Sequence, residues 1–145
     1  MSSGGASGIT KKTENILNAW QPLRVQLHIS RDSVAAGDDV EPHDTAIEVD
    51  ERRNLATFIQ LLHRDGYLPR VSGGQATWIA LAGRRDRALA AVAEQWKSPE
   101  LVVEFGTEVG AIGDSLHFRY QTQRDPQLVL DELRAARQRM DGLDA

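Results

Sequence analysis

The chain is predicted to be a single α+β domain: a mixed, mostly antiparallel β-sheet with one central amphipathic helix and a C-terminal helix packed on it. Three observations predict this class. Apolar and polar residues alternate from Leu23 to Ile29 and again from Leu116 to Tyr120, the period of a half-buried strand. Between them Leu55, Phe58, Ile59 and Leu62 recur at i, i+3, i+4 and i+7, one stripe of a helix. A second stripe of Val129, Leu130, Leu133, Ala136 and Met140 follows the last strand signal. Strands gathered around one early helix form a layered sheet, with the helices expected on one face.

The elements follow in order. Residues 1–9 are rich in Ser and Gly and are expected to form a flexible leader, with the domain over 10–145. Ile16, Leu17 and Trp20 give the segment from Thr10 to Trp20 a short helical face, which Pro22 stops. Leu23, Val25, Leu27 and Ile29 point to one side of the first strand, and Arg24, Gln26 and His28 to the other. After an acidic loop containing Gly37 and Pro42, Thr45 to Val49 forms a second strand, and the two can pair as an open hairpin. Asp50 or Asn54 can cap the helix that follows. Gly66 supplies its left-handed end, and Pro69 prevents resumption.

Tyr67 to Val71 reads as a brief extended piece, and Ser72-Gly73-Gly74 as a turn. Ala76 to Ala82 is a strand candidate, with Gly83 to Asp86 as a hairpin connection. Residues 87–96 carry two signals. Leu89, Val92 and Trp96 fit helical spacing and Ala favours helix, whereas the adjoining hairpin turn favours strand; strand is the reading adopted. Leu101 to Phe105 is a further strand candidate, closed by a loop with Gly106, Gly110 and Gly113. Asp125 then caps the last helix, Pro126 takes its first position, and the stripe runs to Gly142.

Composition narrows the function classes. With 145 residues, 41% apolar and 26% charged, the chain suits one hydrophobic core. A formal charge of −4 argues against a dedicated nucleic-acid binder. The absence of Cys removes disulfides, thiolate nucleophiles and zinc–thiolate sites, and it fits a reducing cytoplasm. No apolar run approaches the length of a membrane span, and no signal peptide is evident, so a cytoplasmic protein is expected.

Charge is polarised along the middle of the chain. Asp32, Asp38, Asp39, Glu41, Asp44, Glu48, Asp50 and Glu51 stand against Arg31 alone between residues 31 and 51. The following stretch reverses sign with Arg52, Arg53, Arg64, Arg70, Arg84, Arg85 and Arg87. Such blocks attract a partner of opposite sign, hold a cation, or are simply solvated. The contact residues assigned to a partner are Asp32, Asp38, Asp39, Glu41, His43 and Asp44. The loop lacks the EF-hand order of oxygen ligands, so no metal ligand is assigned. Arg84, Arg85 and Arg87 can clamp an anion, or neutralise the acidic loop from within.

No catalytic residue and no cofactor is assigned. His43 beside Asp44 has the chemistry of an oriented base, but Ser30, Ser33 and Ser72 lack a nucleophile elbow. His28 and His117 fall on polar strand faces and His63 beside the helical stripe, without metal-ligand spacing. Ser72-Gly73-Gly74-Gln75 lacks the Lys of a phosphate loop. Trp78 is assigned to the core, and Trp96 to either core or interface.

Two resemblances add expectations. The order hairpin, helix, returning strands over roughly residues 23 to 96 resembles a β-grasp, the ubiquitin-like arrangement. In size, charge and its dense carboxylate loop the chain resembles the immunity proteins that bacteria raise against their own toxins. That resemblance implies a non-enzymatic inhibitor binding a basic toxin domain, often a nuclease, with carboxylates standing in for phosphate. Two alternatives remain open: a metal-dependent hydrolase using the loop with His43, and an adaptor that binds by sheet-edge pairing.

Overall fold

The computed structural model describes residues 23–34, 44–69, 73–83 and 87–144. The 10–20 helical segment and the 84–86 turn lie outside them. The elements are β1 (Arg24–Arg31), β2 (Thr45–Asp50), α1 (Leu55–Arg64), β3 (Thr77–Ala82), β4 (Arg87–Ala93), β5 (Glu100–Leu101), a 3-10 turn (Val109–Ile112), β6 (Ser115–Tyr120) and α2 (Pro126–Asp144). They form a six-stranded sheet ordered β2-β1-β6-β3-β4-β5. Neighbours are antiparallel except β1 and β6, which run parallel through the middle. The fold is therefore the α+β class with a mixed sheet, and no helix among the described residues is long and apolar enough to cross a membrane.

Local chemistry explains the element ends. Asn54 Oδ1 accepts the Thr57 N–H at 3.1 Å, which makes Asn54 the N-cap of α1. Asp50 instead accepts the Arg52 N–H at 2.9 Å in the preceding turn. At the other end Gly66 has φ 91°, and the Tyr67 N–H reaches back to the Leu62 carbonyl at 3.0 Å. That is the left-handed helix stop the sequence announced. Asp125 Oδ1 accepts the Gln127 N–H at 2.9 Å, placing Pro126 first in α2.

The layering differs from the expectation of helices on one face. Along β3, Trp78 and Ala80 join the cluster containing Leu55, Phe58 and Ile59 of α1. Ile79 and Leu81 join Val129 of α2 instead. Alternate residues of a strand face opposite ways, so the two helices cover opposite faces. All six residues of β3 are buried as a result. Leu27, Leu116 and Phe118 complete the larger cluster. Removing a ring such as that of Phe118 would cost about 3–5 kcal/mol.

Three smaller readings are revised. Residues 87–93 form a strand as adopted, but the chain turns at Glu94 and leaves Trp96 half-buried beyond it. The strand expected over 101–105 pairs only at Glu100–Leu101. Both Val102 and Val103 amides turn to the Leu89 carbonyl, at 2.8 and 3.4 Å. Val103 thereby enters the core while Phe105 emerges 97% exposed, ahead of Gly106 at φ 90°. Tyr67 to Pro69 is a bend rather than an extended piece.

Candidate functional site

The acidic loop is bracketed by β1 and β2, whose pairing Ile29↔Thr45 brings its two ends together. Asp38, Asp39, Glu41 and His43 lie outside the described residues; Asp32 and Asp44 stand at the two ends. Their situations differ. Asp44 is exposed and makes no ion pair among the described residues, and the same holds for Glu48 on β2. Asp32 is committed inside the molecule.

Asp32 Oδ1 lies 2.9 Å from His117 Nε2. Its Oδ2 accepts the Tyr120 backbone N–H at 3.0 Å, and its own N–H donates to the Phe118 carbonyl at 2.9 Å. On the far side of the ring, Ser30 Oγ lies 2.8 Å from His117 Nδ1. A carboxylate facing Nε2 assigns the proton to that nitrogen, so Nδ1 accepts the Ser30 hydroxyl proton. Register explains the meeting: Ser30 pairs with His117 across the parallel β1–β6 ladder. Asp32 thus ties the start of the loop to β6, and a partner would meet a carboxylate whose lone pairs are partly used.

The Ser30–His117–Asp32 chain has the connectivity of nucleophile, base and orienting acid. The imidazole belongs to a residue only 6% exposed, and none of the described cavities is lined by Ser30 or His117. Its chemistry as placed is that of a polar clamp. Among the described residues no group of three or more His, Asp or Glu is placed to hold a metal ion.

Beside the clamp, the Arg31 guanidinium sits 5.9 Å from the Tyr67 ring centroid and donates to the Asp32 carbonyl at 3.1 Å. The Tyr67 ring meets Phe118 edge-on at 6.2 Å. Burial pushes the Tyr67 hydroxyl up to about 12; the Arg31 charge opposes this and the Asp44 charge adds to it. Asp44 is therefore within electrostatic reach of Tyr67.

Among the described residues Arg52 approaches Asp50 at 3.7 Å and Arg64 approaches Asp65 at 4.0 Å. Of the arginines named as internal neutralisers of the loop, Arg84 and Arg85 lie outside the described residues, and Arg87 is exposed at the start of β4. The sequence marks Ser30 only as a serine without a nucleophile elbow and His117 only as a histidine on a polar strand face; their meeting is hidden because it spans 87 residues of chain. The chain matches no protein-family model, no curated protein and no solved structure.

Proposed function

We propose that the protein is a non-enzymatic binding module that neutralises a basic protein domain, in the manner of a bacterial immunity protein acting in the cytoplasm. The observation that carries the reading is the pair Asp44 and Glu48: exposed carboxylates without an ion pair among the described residues, continuous in sequence with Asp38, Asp39 and Glu41. Carboxylates held this way attract a cationic surface and accelerate encounter with it. Asp44 directly precedes β2, whose backbone is held by β1, and a carboxylate on a held backbone loses less entropy on binding. A β-grasp kinship is proposed alongside it, supported by the order hairpin, helix, returning strands β3 and β4.

The test expresses each genomic neighbour of the gene alone and together with this chain. The expected result is a neighbour that arrests growth alone and is tolerated in company. The purified pair should lose affinity steeply with added salt, and the double reversal D44K/E48K should abolish rescue. Rescue that survives the reversal, or no toxic neighbour, overturns the reading.

A second reading, an adaptor that pairs through its sheet edge, is favoured by the position of β2 at the end of the strand order.

A further inference from the structure

Deepening the binding reading, and resting on it, we infer that the outer edge of β2 receives an extended segment of the partner, which joins the sheet as an added strand. The hydrogen-bond directions make the edge available. The His28 N–H donates toward β6, to the Asp114 carbonyl at 2.9 Å, and the Glu51 N–H donates toward β1, to the Leu23 carbonyl at 2.7 Å. Backbone groups alternate in direction along a strand. Val25, Leu27 and Ile29 therefore turn theirs to β2, where their partners are Val49, Ile47 and Thr45. Ala46 and Glu48 are left with N–H and C=O aimed away from the sheet. Among the described residues no hydrogen bond reaches them.

An unpaired ladder of this kind selects an extended backbone, since no other ligand matches two donors and two acceptors at strand spacing. A groove of about 360 Å³ runs between this edge and α1. Its floor includes Ile47, Phe58, Leu61 and Leu62, so one face of the incoming strand is apolar. The rim is mixed in charge. Asp44 precedes β2 and Glu48 lies in its second half, both exposed and without an ion pair among the described residues, while Arg24, Asp50, Arg53 and Asp65 line the far end of the groove. The complementary segment carries basic side chains where it passes Asp44 and Glu48, with β-branched residues between.

The test selects random peptides displayed on phage against the immobilised 145-residue chain and measures the enriched peptides by fluorescence polarisation. Enriched sequences are expected to alternate apolar and polar residues, with basic residues among the polar ones. N-methylation of the peptide amides that face β2 should weaken binding at least about tenfold, the effect of losing one or two hydrogen bonds. Methylation of the intervening amides should not. Ala46→Pro removes one outward N–H and leaves every bond to β1 intact, a position where an edge strand tolerates proline; it should weaken binding similarly. Absence of enriched peptides, or binding indifferent to both changes, overturns the inference. If binding ignores both changes yet collapses with D44K/E48K and with salt, strand addition fails while the electrostatic reading stands.

Discussion

His117 Nε2 and Asp32 Oδ1 stand 2.9 Å apart, with the imidazole enclosed and the carboxylate half-exposed. The contact joins β6 to the first residue of the acidic loop, and Ser30 closes the other side of the ring. Replacing Asp32 by Ala strips partners from both the imidazole and the Tyr120 amide. We expect a loss of about 1–3 kcal/mol, and about 1 kcal/mol or less for Ser30→Ala. Urea denaturation of the purified variants measures both. Wild-type stability in D32A would remove the clamp from the account.

Tyr67 makes stability fall at alkaline pH. Its folded pKa of about 12 exceeds the ordinary 10.0, so between these values the folded state holds a proton that the unfolded chain releases. Stability is fully present below about pH 10 and is lost as pH rises toward 12. The urea midpoint should decline over that window, and Tyr67→Phe should reduce the decline relative to wild type. Equal slopes in the two proteins would contradict the assignment.

Gly110 is required by crowding. A Cβ there would lie 3.0 Å from both the Cβ and the carbonyl oxygen of Glu51, while the Gly110 N–H already donates to that oxygen at 2.7 Å. Gly110→Ala must push the 3-10 turn off the 51–54 turn. We expect a destabilisation of about 1–3 kcal/mol, read as a lower Tm. Gly113, with open space around its Cβ position, does not share this steric cause.

Thr122 adopts φ 56°, a left-handed conformation costly for a β-branched residue. Its hydroxyl bonds only the neighbouring Gln121 carbonyl, at 2.6 Å, among the described contacts. Thr122→Gly should therefore raise stability by up to about 1 kcal/mol, through relief of strain offset by chain entropy. A lower Tm for T122G would show the hydroxyl matters more than the backbone.

The α+β class, both helices and their caps were legible because each rests on neighbours in sequence: Asn54 with Thr57, Leu62 with Gly66, Asp125 with Pro126. The two-sided burial of β3 was also written in Trp78-Ile79-Ala80-Leu81-Ala82, an unbroken apolar run instead of an alternation. The same loss of alternation made Leu89 to Ala93 ambiguous between strand and helix. What stayed hidden depends on distant pairing. Ser30 meets His117 across 87 residues, and no local pattern encodes which strands become neighbours. The charge block located the loop, but not that Asp32 would be consumed by β6 while Asp44 and Glu48 stay outward.

The parallel β1–β6 pair has a kinetic consequence. Its strands are separated in the chain by β2, α1, β3, β4 and β5, so joining them requires closing a very long span of chain. The β1–β2 hairpin can zip early, but until β6 arrives it exposes a raw inner seam. Folding is thus expected to be slow for the domain's size, with misassociation most probable in that interval.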